Sequence, residues 1–119
     1  MKPRKFDLVR AESTAEALAA LSESGGNAKI FAGGQSLMAM MNLRLADPDV
    51  MVDISQVTEL SYLKEVGDKM EIGAAATQVE LLSWPGLAEK LPLLHQAIPH
   101  LGHFQTRNRG TICGSLAHS

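Results

Sequence analysis

A short, mostly apolar run, Lys29-Ile30-Phe31-Ala32, passes directly into Gly33-Gly34, and Gln35, Ser36 and Leu37 then open a stretch with apolar residues at helical spacing. Strand, glycine turn and helix start within so few residues require a mixed architecture, in which strands and helices alternate along the chain. Near the other end stands a second glycine-bearing segment, Arg107-Asn108-Arg109-Gly110-Thr111-Ile112-Cys113-Gly114-Ser115. Glycine admits positive φ and close approach of a ligand, while Ser, Thr and Gln add hydrogen-bond partners without net charge. Each segment therefore reads as a phosphate cradle, and the pair can hold one extended anionic cofactor.

The flanking residues read as alternating elements. Ser13 and Glu16 make a capping-box pattern before Ala17, Leu18, Ala20 and Leu21, and Gly25-Gly26 stops the pattern, so residues 14–24 are expected to be helical. Residues 29–32 form a strand, Ser36 caps a short helix through Met38, Met40, Met41 and Leu43, and Asp47-Pro48 ends it before a second strand over 50–54. Residues 62–66 and 69–74 alternate around Gly67-Asp68 as a β-hairpin. Thr77 and Glu80 repeat the capping box ahead of Val79, Leu81 and Leu82, with Trp84-Pro85-Gly86 as the stop. Leu91, Leu94, Ile98 and Leu101 recur at helical spacing, Pro92 suits a first turn, and Gly102 closes the helix. From His103 onward the chain reads as a polar, glycine-bearing loop with nothing after it to bury Ile112 and Leu116, which is the expectation for the front part of a longer protein.

Composition removes several classes of function. At 119 residues and a net charge of −2, the chain supports one modest core, at most two small lobes, and lacks the clustered positive charge that nucleic acid or an anionic membrane surface requires. No apolar stretch reaches the ~18 residues of a membrane span, and Met1 to Arg10 lacks a signal-peptide core. One cysteine, Cys113, makes no internal disulfide, and His95, His100, His103 and His118 lack metal-ligand spacing, so no metal site is expected and a reducing cytoplasm is the expected setting.

Neither segment is a Rossmann fingerprint or a P-loop: the G-x-G-x-x-G spacing and the Gly-Lys-Ser/Thr tripeptide are both absent. A glycine pair after a strand also serves as a plain tight turn, and Arg107 and Arg109 as solvated surface charge. The two longer motifs carry more. AGGQSLMAMMNLRLADPDVMVDIS over residues 32–55 and RNRGTICGSLAHS over 107–119 closely resemble the FAD-binding, or medium, subunit of the molybdenum hydroxylases, the family of xanthine dehydrogenase, aldehyde oxidoreductase and aerobic carbon monoxide dehydrogenase. The resemblance extends over essentially the whole chain.

It implies an α+β, vanillyl-alcohol-oxidase-like (PCMH-type) FAD-binding fold, truncated, with residues 1–57 as the N-terminal lobe and 58–119 as the start of a second lobe. FAD would lie between them, its pyrophosphate held by Ala32, Gly33, Gly34, Gln35, Ser36 and Leu37, with Gly110, Thr111, Ile112, Gly114 and Ser115 supplying the second cradle. Backbone amides stabilise a diphosphate without a cationic side chain. The resemblance further implies an oxidoreductase in which a molybdopterin-binding large subunit and an iron–sulfur small subunit with [2Fe-2S] clusters are partners, and in which the flavin rather than a side chain carries the redox step, so no catalytic residue is nominated. Cys113 departs from the family, which has glycine there; it reads as an inert small residue, and His118 as structural. The alternative function is a non-catalytic docking module that no longer binds flavin. A nucleotide-binding domain unrelated to the family requires both motif matches to be coincidence.

Overall fold

The computed structural model describes residues 1–101 and 104–118, without the side chain of Phe104. The expected closure at Gly102 and the positions of His103 and Ser119 lie outside the described residues.

The first half is a three-stranded parallel sheet with helical crossovers. Strands β1 (Asp7–Arg10), β2 (Ala28–Phe31) and β3 (Val50–Asp53) lie in the order β1-β3-β2, with Val9 opposite Val52 on one side and Ile30 opposite Val52 on the other. Helix α1 (Thr14–Glu23) joins β1 to β2, and α2 (Leu37–Asn42) joins β2 to β3. Sequence reasoning gave β1 no strand; its residues are all exposed, and it is held as an edge by pairing with β3 rather than by an apolar pattern of its own. The α1 expectation agrees with the structure. Ser13 Oγ accepts from the Glu16 N–H at 3.1 Å, while the Glu16 carboxylate reaches back one residue beyond the cap to the Glu12 N–H at 2.8 Å. Ala11, Ala17, Val52, Ile54 and Val57 are buried together between α1 and the sheet.

The second half begins with a 3-10 turn, Thr58–Leu60, and the expected hairpin, β4 (Leu63–Val66) and β5 (Lys69–Ile72), which stands as its own two-stranded sheet. Helices α3 (Gln78–Leu82), α4 (Leu87–Lys90) and α5 (Pro92–Ala97) follow, and a 3-10 turn over Ile98–His100 ends the run at Pro99. The capping box on α3 is complete, with Thr77 and Glu80 each bonding the other's backbone. Trp84-Pro85-Gly86 stops α3 as expected, but the chain turns at once into α4, and Leu87 is fully buried with Leu81 and Ile98.

The expected terminal loop is corrected. Two helices, α6 (Phe104–Arg109) and α7 (Ile112–His118), flank a break at Gly110-Thr111. Ile112 is not stranded: it packs against the Leu81, Leu87 and Ile98 cluster, whereas Leu116 is exposed. Among the described residues no helix is long and apolar enough to cross a membrane.

Candidate functional site

The structure brings the two glycine segments together. A Cβ built on Gly33 would lie 2.0 Å from the Arg109 carbonyl oxygen and 2.9 Å from Gly110 Cα, so backbone meets backbone with no room for a side chain. One segment comes from the sheet-and-α1 core and the other from the helical core around Leu81, so their contact marks the seam between the two clusters.

The first segment leaves β2 through the half-buried Ala32, Gly33 and Gly34 and turns into α2, with Gln35 and Ser36 exposed. Gly34 holds φ +74°, the left-handed region that favours glycine, and its α-carbon faces the Phe31 ring: an added Cβ would come within 2.2 Å of it. Gly33 has no such φ; its requirement is close approach alone. The expected cap is corrected as well. Ser36 stands at the N-cap position of α2 with φ −88° and ψ −43°, already helical, and its hydroxyl caps nothing. The turn is closed instead by the main chain, Met38 N–H donating to Gly34 at 3.0 Å and Met40 N–H to Ser36 at 3.1 Å. Among the described residues, the main-chain N–H groups of Gly33, Gly34, Gln35, Ser36 and Leu37 have no acceptor within the chain. Five unshared donors leading into a helix, with no carboxylate among them, suit an anionic group.

The second segment is a loop only at Gly110 and Thr111, both buried. Gly110 N–H donates to Thr106 at 2.7 Å and ends α6; Thr111 Oγ1 accepts from the Gly114 N–H at 2.9 Å and caps α7. Ile112, Gly114 and Ser115, expected in a loop, therefore occupy the first turns of α7, with Gly114 and Ser115 exposed. The reason is local: Thr-x-x-Gly offers a hydroxyl to the third amide, which nucleates a helix where glycine content alone suggested irregular chain. Gly110 and Gly114 have ordinary φ, and a Cβ on either would meet Thr106 O or Thr111 Oγ1 inside 3.0 Å. Cys113 Sγ lies 3.8 Å from the Gly73 carbonyl oxygen, half-buried beside the hairpin. Arg107 reaches the Pro99 carbonyl at 3.0 Å, so it is not simply solvated; Arg109 is exposed and meets Gly33 through its backbone.

One participant escaped sequence reasoning. Gln78, at the start of α3, is 4% exposed; its N–H donates to the Gly110 carbonyl at 2.8 Å and its side-chain amide donates to Ser115 Oγ at 3.3 Å. Thr77 bridges Thr111 in antiparallel fashion, so the start of α3 is docked on the second segment. The available signal was a glutamine at the first position of a capped helix, which an amphipathic pattern assigns to solvent. Among the described residues no three His, Cys, Asp or Glu side chains group as metal ligands. A mostly apolar depression lined by Lys90, Leu91, Pro92, Leu93, Leu94 and Ala97 lies where α4 meets α5, away from both glycine segments.

Comparison with known proteins identifies the family and the fold. The family described as the FAD binding domain in molybdopterin dehydrogenase matches residues 4–119. The 6-hydroxypseudooxynicotine dehydrogenase complex subunit alpha of Paenarthrobacter nicotinovorans is 42% identical over 119 residues, which is 100% of this chain and 40% of that one. A solved carbon monoxide dehydrogenase from Hydrogenophaga pseudoflava superposes with TM-score 0.94 at 42% identity, covering 99% of this chain and 41% of its own. Quinoline 2-oxidoreductase from Pseudomonas putida 86 gives TM-score 0.93 at 35% identity, covering 99% and 41%. The chain thus spans about two fifths of the length of the relatives it matches.

Proposed function

The chain belongs to the family of FAD-binding domains in molybdopterin dehydrogenases, and on that premise we propose that its two glycine segments hold FAD at the seam between the two packed clusters. The vanillyl-alcohol-oxidase-like (PCMH-type) α+β fold is shared with its solved relatives. The single observation that carries the reading is the backbone contact of Gly33 with Arg109-Gly110, which brings together two glycine segments that each lead into a helix. Residues 1–57 and 58–119 are read as two lobes, each contributing one wall.

Gly33, Gly34, Gln35, Ser36 and Leu37 would hold the diphosphate through their unshared N–H groups, with Ala32 leading the chain into the cradle. Gly110 and Thr111 fix the opposite wall, while the start of α7 with Ile112, Gly114 and Ser115 presents a further amide-rich edge and one hydroxyl. The donors are main-chain groups fixed by secondary structure, so little reorganisation is needed when the ligand arrives. Bound there, FAD supplies reversible two-electron chemistry with one-electron steps available. The chain's own part is to bind and orient it.

In the assembly proposed for this chain, a molybdopterin-binding large subunit and an iron–sulfur small subunit with [2Fe-2S] clusters are the partners, electrons pass through the flavin to an acceptor, and the location is the cytoplasm. The chain would then be the flavin-binding part of an oxidoreductase. The docking-module alternative is disfavoured, because the chain matches the FAD-binding family over residues 4–119, both glycine segments included. The test is the purified protein's absorbance spectrum, with the flavin released by denaturation and identified chromatographically. One FAD per chain is expected; a colourless protein that takes up no FAD, or one carrying FMN instead, would overturn the reading.

A further inference from the structure

Gln78 is buried behind the second glycine segment in an arrangement that stability alone does not explain. Its side-chain carbonyl oxygen is buried with no hydrogen-bond partner, while Nε2 donates to Ser115 Oγ at 3.3 Å. That hydroxyl in turn donates to the Thr111 carbonyl at 3.4 Å. The main-chain N–H of the same residue holds the Gly110 carbonyl, and Nε2 lies 3.4 Å from where a Cβ on Gly110 would sit. One residue of α3 therefore grips residues 110 and 115, on either side of the Thr111 cap of α7. A methionine or leucine would fill the same volume without a stranded carbonyl, and a buried acceptor left unsatisfied costs free energy that an apolar group of the same shape does not. A polar side chain placed at a net cost to the fold, against the wall of a binding site, marks a functional constraint.

We propose that Gln78 is a positioning residue for the flavin site: by donating to Ser115 it sets the hydroxyl and the first turn of α7 in the conformation that receives the ligand, before the ligand arrives. This rests on the flavin-binding reading above. It makes stability and affinity move apart. A residue that merely braced the fold would lose both when replaced, whereas Gln78→Met removes the donor and the stranded carbonyl together, so the ligand-free protein holds or gains stability while affinity falls.

The experiment compares the parent with Gln78→Met and Gln78→Glu, reading FAD affinity by quenching of flavin fluorescence and the melting temperature without FAD. Gln78→Glu keeps the shape and accepts hydrogen bonds but, ionised, donates none. Both variants are expected to bind FAD about tenfold more weakly, the scale of one lost hydrogen bond at a preorganised site. The melting temperature of Gln78→Met is expected to stay at or above the parent's. Affinity within about twofold of the parent in either variant overturns the proposal, as does a fall in melting temperature that accompanies the affinity loss in Gln78→Met. Should Gln78→Met fail to fold, Gln78→Leu is the second apolar replacement; failure of both shows a structural role and overturns it too. A parent that takes up no FAD contradicts the function proposed above and is distinguishable, because it precedes any effect of the variants.

Discussion

Two single residues carry strain or crowding that has a measurable sign. Gly33 has no tolerance for a side chain, because its Cβ would stand 2.0 Å from a backbone oxygen that cannot rotate away. Gly33→Ala should separate the two segments, lowering stability by about 1–3 kcal/mol in denaturant unfolding, as overpacking does, and weakening FAD binding with it. Arg44 is the reverse case: it alone among the described non-glycine residues holds positive φ, at 57°, where Leu45 N–H returns to the Met40 carbonyl at 2.8 Å to finish α2. The left-handed region costs an L-residue roughly 1–2 kcal/mol, partly offset by the greater freedom of unfolded glycine, so Arg44→Gly should raise the unfolding free energy by up to about 1 kcal/mol. The need for positive φ at Gly34 was legible in the sequence, since a glycine pair after a strand announces a turn. The crowding at Gly33 was not, because the atom that fills the space belongs to Arg109 and only the tertiary fold brings it there.

At the scale of elements, what could be read depended on whether the signal was local. The capping box of α3 was visible because Thr77 and Glu80 satisfy each other's backbone within one turn. Thr77→Ala should lower stability by about 1 kcal/mol in thermal unfolding, and should loosen the second segment through the bridge to Thr111. Helices α6 and α7 were not read, since the glycines and arginines of that stretch dilute any apolar period, and α7 depends on the Thr111 cap and on Ile112 reaching a core built elsewhere. The start of α1 depends on a distant partner too: the Glu59 carboxylate accepts the Thr14 N–H, and that bond from backbone and side chain of Thr14 holds its pKa below the ordinary glutamate value. A lowered folded pKa means that the contribution is complete above the unfolded value and is lost as pH falls through the folded one. Glu59→Gln should therefore lower the melting temperature at neutral pH and converge on the parent in acid, flattening the acid limb, and an unaltered acid limb would contradict this.

For the molecule as a whole, two separate buried clusters meet along a line where the glycines leave backbone exposed to backbone. The sequence showed both glycine segments and the mixed α+β class. What it left open was that they touch, that one of them is mostly a helix start, and that a buried glutamine ties it to α3. Those are contacts between residues far apart in the chain, decided by how the clusters pack rather than by any local pattern. The most direct measurement is a titration of the parent and of Gly34→Asp with FAD, followed by quenching of flavin fluorescence. A side chain at that position would run into the Phe31 ring on a backbone that disfavours any Cβ, so the turn that presents the main-chain donors is disrupted while a negative charge is added beside the cradle. Saturable binding of one FAD per chain to the parent, weakened by several kcal/mol in Gly34→Asp, is the predicted result. Equal binding by the two, or none by the parent, would contradict the cradle.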